Sequence, residues 1–236
     1  MSINPRQLRR LERQLTNPRP AGLRLRPDFL SSLAGRLDLA AKRVMDVAVA
    51  GLVLLAFLPF GLIIAALIKR DGGPVLYWQD RVGYQGRVFR FPKFRSMVSN
   101  ADQLRAQLLA NNDHGGSSIT FKAENDPRIT PVGRFLRRSS LDELPQLWSI
   151  LRGDMSLVGP RPALPEEVAC YTPRQRRRLE AVPGLTCIWQ VSGRSQIPFE
   201  GQVALDLEYI RQRSFSGDLV LLIKTVPAVL FGRGAS

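Results

Sequence analysis

The stretch 44–68, VMDVAVAGLVLLAFLPFGLIIAALI, is the only long apolar run in the chain, and the way it meets a bilayer decides the architecture. As one straight helix these 25 residues reach about 37 Å, enough to cross a hydrocarbon core about 30 Å thick. A single spanning helix is therefore one reading. Pro59 argues for another, because proline removes a backbone donor and kinks or breaks a helix. The arms on either side of it, about 22 Å and about 14 Å long, are each too short to span alone. The flanks point the same way. Arg36, Lys42 and Arg43 precede the run, and Lys69, Arg70, Arg81 and Arg87 follow it. Basic residues favour the cytoplasmic side, so a straight crossing sets one flank against that preference. A helix that enters, breaks at Pro59 and returns satisfies both observations, provided the freed backbone groups find partners.

Outward from this run, the first forty residues are rich in arginine and proline without a steady apolar period, and read as a basic, loosely ordered arm. On the other side, Val75–Gln79 and Arg87–Phe91 flank a turn containing Gly83 and Gly86, the pattern of a hairpin. Residues 100–110 carry Leu104, Leu108 and Leu109 at helical spacing, ahead of a polar loop around His114. Ser140–Leu151 reads as a helix with a stripe of Leu141, Leu144, Leu147, Trp148 and Leu151. Thr172-Pro173 opens another, with Arg174, Arg176, Arg177 and Arg178 around most of its surface. Asp218–Gly232 is apolar but holds Lys224 and Pro227, which suits an interfacial or packed terminal helix. The fold class is α+β and helix-rich: a monotopic membrane protein with a re-entrant helix-break-helix, interfacial amphipathic helices and a small β-hairpin.

The 236 residues carry a formal charge of +14, which calls for an anionic partner: nucleic acid, anionic lipid headgroups or a phosphate-bearing substrate. Charge alone leaves the three open, although no nucleic-acid recognition motif is present. Two cysteines, Cys170 and Cys187, and a single histidine argue against a disulfide scaffold and a structural zinc site.

Two segments can carry chemistry. In Ser140-Leu141-Asp142-Glu143 the spacing is that of a capping box, in which Glu143 closes a helix start. Arg134, Arg137 and Arg138 lie just upstream and, with the helix N-terminus, are expected to keep Asp142 ionised. An ionised carboxylate beside phosphate-binding cations can attack phosphorus. Its neighbour points elsewhere on the helix and can hold a hard cation through oxygen. In Gly153–Pro162, Pro160 and Pro162 stiffen the backbone around Arg161, and Gly159 permits an unusual turn. The guanidinium then either grips a phosphate with two donors or pairs with a carboxylate such as Asp154.

Several motifs recur in order: Lys42-Arg43-x-x-Asp46, Lys93-Phe94-Arg95-Ser96-Met97, Asn125-Asp126-Pro127-Arg128-Ile129-Thr130, Ser140–Leu147, Gly153–Pro162, Pro183-Gly184-Leu185-Thr186 and Trp189–Arg194. From about residue 40 to the C-terminus the chain resembles the bacterial sugar transferases, monotopic polyprenyl-phosphate hexose-1-phosphate transferases of exopolysaccharide or related glycan assembly. It looks like the short form. The resemblance implies a basic arm over 1–40, a re-entrant membrane helix over 41–70 and a cytoplasmic catalytic domain over 71–236, on the cytoplasmic face of the bacterial inner membrane. It implies transfer of a hexose-1-phosphate from a UDP-sugar to polyprenyl (undecaprenyl) phosphate through a covalent aspartyl-phosphosugar, with release of UMP. Asp142 matches the nucleophile, Glu143 with Asp142 the site of a Mg2+ ion, and Arg161, Arg137 and Lys93 the contacts to substrate phosphate. Lys42 and Arg43 match the pair that meets anionic lipid headgroups, and Pro59 the helix break. Nucleic acid is not an implied partner, and self-association is left open. Two positions depart from the family pattern: Leu58-Pro59 replaces a common Ser-Pro, and Cys187 stands where glycine is frequent.

Overall fold

The computed structural model describes residues 33–70, 72–101, 104, 126–193 and 196–231. Most of the N-terminal arm, nearly all of the 100–110 helix, the His114 loop, Asn125 and Arg194 lie outside the described residues. Helix α1 runs Leu33–Lys69, 37 residues with Pro59 inside it. It starts earlier than the expected boundary at 41, because the segment 33–41, LAGRLDLAA, consists mostly of strong helix formers. The expected helix-break-helix does not appear as two separate helices, since helical backbone continues on both sides of the proline. Along the middle of α1, Leu52, Leu55, Leu58, Phe60, Leu62 and Ile63 are each more than half exposed. Moving six such side chains out of water, at roughly 1.5–3 kcal/mol each, gains on the order of 10 kcal/mol. That surface requires lipid, and the chain associates with a membrane.

Both ends of α1 are docked on the rest of the chain. Near the start, Arg43 donates to Ile150 O at 2.6 Å and Leu151 O at 2.9 Å. These carbonyls end helix α3, Gln146–Arg152, and a cation at a helix C-terminus satisfies acceptors that have no partner within the helix. Lys42 donates to Val158 O at 3.1 Å and to Asp218 at 2.5 Å, while buried Asp46 accepts from Leu157 N at 3.0 Å. The Lys42 and Arg43 side chains, which the resemblance assigns to headgroups, therefore turn inward to protein partners. Near the far end, Ile64 and Ile68 bury against Leu136 of α2, Pro131–Ser139, and Arg95 donates to Ile68 O at 3.1 Å.

The hairpin forms as its pattern predicts, with strand β1 (Leu76–Val82) antiparallel to β2 (Val88–Phe94) across a short 3-10 turn at Tyr84–Gly86. A second, parallel pair joins β3 (Ser156–Val158) to β4 (Gly184–Thr186). Between them lie α4 (Pro165–Ala169), α5 (Pro173–Arg176) and a 3-10 segment, Arg177–Glu180. After β4 come α6 (Ile188–Ser192), α7 (Phe199–Gln212) and α8 (Phe215–Phe231). The main core gathers Ala50 of α1, Phe89 and Phe91 of β2, Leu147 and Ile150 of α3, Leu157 and Val158 of β3, and Val203, Leu207 and Ile210 of α7. Thr172 caps α5 as expected, accepting from Gln175 N. The arginines that follow do not all face water. Arg178 is buried, donating to Asp206 at 2.8 Å and to the Tyr171 hydroxyl at 3.0 Å.

The β3–β4 pairing continues past the strands, with Gly159 N donating to Thr186 O at 3.0 Å and Gly184 N to Pro160 O at 2.9 Å. Gly159 serves here by lacking a side chain, in place of the unusual turn anticipated for it. A Cβ on Gly159 would lie 2.3 Å from Val182 O, and one on Gly184 only 2.0 Å from Gly159 N. Both collisions are with backbone, which cannot swing aside. Gly184→Ala should therefore cost about 3 kcal/mol, measured as thermal or denaturant unfolding in detergent. Gly51→Ala, where nothing lies within 4 Å of the added carbon, should cost nothing. Equal stability of the two variants would refute the close-packing account.

Candidate active site

Ser96 and Thr130 anchor the floor of the site. Thr130 N donates to Ser96 O at 3.1 Å, and the Thr130 hydroxyl caps α2 by accepting from Gly133 N at 2.9 Å. Gly133 lies so close to Ser96 that a Cβ would sit 1.9 Å from Ser96 O. The chain before α2 is fixed by Asp126, whose carboxylate takes the Arg128 guanidinium in buried contacts of 2.5–3.1 Å. The hydrogen bond from Arg128 holds that carboxyl below its ordinary value. With α2 placed in this way, Arg137 donates through Nε to Ser96 Oγ at 2.9 Å.

The carboxylate pair follows directly, but on a different element from the one expected. Ser140 is left-handed, with φ +57°, and its N–H closes the end of α2 on Arg137 O at 3.1 Å. Its hydroxyl caps nothing. Leu141–Glu143 is a 3-10 turn, and α3 starts only at Gln146, after Pro145. The capping box and the continuous helix over 140–151 are thus both replaced. Instead of closing a helix, Glu143 Oε1 accepts from Lys93 Nζ at 2.7 Å. Arg161 Nη1 stands 4.0 Å from the same oxygen. Of the two roles open for Arg161, pairing with a carboxylate is the one seen, with Glu143 in place of Asp154, which is 3.3 Å from Arg152.

The two carboxyls sit in opposed fields. Burial alone would raise the Glu143 carboxyl, but Lys93 and then Arg161 outweigh it and bring it from 4.5 to about 2. Asp142 is buried, 7% exposed, and that burial pushes its carboxyl above the ordinary value against Lys93 and Arg137, with Glu143 adding to the rise. The cations expected to hold Asp142 ionised are present in Lys93 and Arg137, but desolvation exceeds their attraction and sets the direction of the shift. All five expected site residues, Asp142, Glu143, Lys93, Arg137 and Arg161, meet in one place. Among the described residues no three acidic, histidine or cysteine side chains cluster as metal ligands. Mg2+ commonly takes one or two carboxylates and completes its shell with substrate phosphate and water, and the carboxylates present here are Asp142 and Glu143. Of the two, Glu143 is ionised at neutral pH and already engaged by Lys93.

Two further residues shape the site. Arg81, counted from the sequence among the flanking charges, is buried over the Phe91 ring at 5.3 Å and donates to Pro162 O at 3.1 Å. Burial, with Arg161 next, lowers its guanidinium to about 10. It fixes the backbone just after Arg161. Ser96, which orients Arg137, stands within the quoted Lys93–Met97 motif, and its place there was its only signal.

A family model described as bacterial sugar transferase matches residues 37–232. The chain belongs to the bacterial sugar transferase family. Galactosyl transferase CpsE of Streptococcus agalactiae serotype III is 45% identical over 200 residues, 84% of this chain and 44% of that protein. Exopolysaccharide production protein ExoY of Rhizobium meliloti is 43% identical over 198 residues, 83% of this chain and 88% of that one. Undecaprenyl-phosphate galactose phosphotransferase of Salmonella typhimurium is 42% identical over 207 residues, 87% and 44% respectively. This sugar transferase chain thus spans less than half of two of these relatives and nearly all of the third.

A carboxyl lowered in the fold contributes stability above its unfolded value and loses it as pH falls toward its folded value. The stability advantage of wild type over Glu143→Gln should therefore be full above about pH 4.5 and shrink as pH falls toward about 2. Thermal unfolding of both proteins across that range is the check; a gap that widens on acidification would contradict the Lys93 and Arg161 pairing.

Proposed function

We propose that the chain transfers a hexose-1-phosphate from a UDP-sugar to polyprenyl phosphate, by two displacements at one phosphorus. The observation that carries this reading is a buried carboxylate, Asp142, facing Lys93 and Arg137, beside Glu143, which faces Lys93 and Arg161. The names of relatives support it, one being an undecaprenyl-phosphate galactose phosphotransferase and another an exopolysaccharide production protein. An Asp142 oxygen attacks the phosphorus that bears the sugar; the bond from that phosphorus to the UMP oxygen breaks, and UMP leaves with the electron pair. Polyprenyl phosphate then attacks the same phosphorus, and Asp142 leaves as carboxylate, giving polyprenyl-diphospho-sugar. Desolvation suits Asp142 to attack, since a carboxylate stripped of water is the better nucleophile. Lys93, Arg137 and Arg161 balance charge on the phosphoryl oxygens. Mg2+ held by Glu143 with Asp142 would neutralise the diphosphate and leaving UMP.

The membrane segment in this proposal is re-entrant, bent at Pro59. Support comes from the two ends of α1: Arg43 and Asp46 bond to α3 and β3, and Ile64 and Ile68 pack on α2, all within one domain. A spanning helix would place its ends on opposite sides of the bilayer, about 30 Å apart, where one domain has to serve both. The basic flanks favour the cytoplasmic face of the inner membrane for that domain.

Asp142→Asn keeps the volume of the side chain and removes the nucleophile. UMP release from UDP-sugar with undecaprenyl phosphate should fall by at least about 10³-fold, with thermal stability nearly unchanged. Turnover at the wild-type rate would end the covalent reading. For topology, single cysteines at Arg36 and Tyr84, in a background lacking Cys170, should both resist an impermeant thiol reagent in spheroplasts and both react after lysis. Reaction of one site alone before lysis would establish a spanning helix.

A further inference from the structure

Gln146 stands in the Ser140–Leu147 motif and has no task in the scheme above. It is the first residue of α3, three positions after Glu143, and only 2% exposed. Among the described residues its Nε2 makes no hydrogen bond. An amide donor sealed from water and left unused is costly, and it marks a contact that forms in another state of the site. The side chain is close to the chemistry. Against burial, and after Lys93 and Arg161, its amide adds to the groups that lower the Glu143 carboxyl. The Gln146 dipole thus already favours that carboxylate, short of a formed bond.

The state in which the bond forms follows from the double duty of Lys93. In the structure Lys93 Nζ holds Glu143 Oε1 at 2.7 Å. The same ammonium serves a phosphoryl oxygen during transfer. A diphosphate carries more charge than one carboxylate and draws the cation toward itself. Arg161, 4.0 Å from the same Glu143 oxygen, is drawn by the same phosphate. Glu143 is then a partly buried carboxylate that has lost its donor. The Gln146 amide is uncharged, so it stays with Glu143 while the cations move to substrate.

We propose that Gln146 is a positioning residue of the reaction site: its amide takes over the Glu143 carboxylate as Lys93 turns to substrate phosphate, and keeps that acid in register through the transfer. This rests on the phosphate role proposed for Lys93. The exchange is one of hydrogen bonds alone, with no proton transferred and no covalent bond made or broken. It also serves a cation-holding role for Glu143, since a carboxylate that ligates a metal is steadied by a hydrogen bond from a neighbouring donor.

Thermal unfolding of the full chain in detergent, across a double-mutant cycle, tests the exchange. Gln146→Met removes the donor at similar volume, and Lys93→Met imitates the departure of the lysine. Alone, Gln146→Met should leave the melting temperature unchanged or raise it, since the donor it deletes is unbonded. In the Lys93→Met background it should lower the melting temperature by about 3 °C or more, because the amide is then bonded to Glu143. Adding Glu143→Gln should abolish that difference. UMP release by Gln146→Met, from UDP-sugar with undecaprenyl phosphate, should fall about tenfold or more although the empty protein is intact. Gln146→Leu lacks the same donor and repeats the series should the methionine variant not fold. A fall in melting temperature of equal size with and without Lys93 would give Gln146 a structural role and overturn the proposal. Wild-type rates of UMP release by Gln146→Met would overturn it equally. No UMP release by wild type from any UDP-hexose would overturn the phosphate role of Lys93 and the exchange with it, while the unfolding cycle would still report the bond between Gln146 and Glu143.

Discussion

Charged groups at the mouth of a membrane helix are costly unless the protein supplies partners, and Lys42, Arg43 and Asp46 are supplied with them from three separate elements. Arg43 closes the C-terminus of α3, Asp46 takes a backbone N–H from β3, and Lys42 shares Asp218 of α8 with the Tyr209 hydroxyl, 3.0 Å away. Each contact uses a backbone or side-chain group that lies buried or partly buried in the protein. The angle at which α1 leaves the rest of the chain follows from these bonds. The consequences reach the reaction site, because Leu157 and Val158 lead through Gly159 and Pro160 directly to Arg161.

Local signals in the sequence were reliable where the deciding interaction is itself local. Thr172-Pro173 starts a helix because its hydroxyl and its proline act within one turn, and the hairpin follows from two short β-rich runs around glycines. The carboxylate pair behaved differently. Ser140 and Glu143 have the spacing of a capping box, yet Lys93, fifty positions away on β2, takes the Glu143 carboxylate, and Pro145 postpones the helix. No window around residue 140 contains that information. Four of the five site residues nonetheless stand in ordered motifs shared with a family, and Arg137 lies five positions before Asp142, so the family pattern rather than periodicity marks them. Burial of Asp142, and with it the direction of its shift, could not be read before the packing of α2, β2 and α3 was known.

Arg178 and Asp206 show the same limit inside the core. Sequence places Arg178 in a run of solvated cations, while the fold sets it between the Tyr171 and Phe199 rings and on a carboxylate 28 positions later. The pair lies under the 160–163 segment, beside a small cavity lined by Arg161, Tyr171 and Pro183. Polar cores of this kind are sensitive to the loss of one partner, which leaves the other as an uncompensated buried charge.

The 3-10 form of Leu141–Glu143 has a consequence for how two adjacent acids divide their labour. With three residues per turn, neighbouring side chains diverge by about 120°, wider than the 100° of an α-helix. Asp142 is thereby directed into the protein and Glu143 across to Lys93, so their different surroundings are a matter of angular register. Deleting Leu141 would turn the pair back by a third of a turn, which brings Glu143 into the buried direction and sends Asp142 to a third direction, away from Lys93. The composition of the segment would be nearly unchanged, and its chemistry would belong to the other carboxylate.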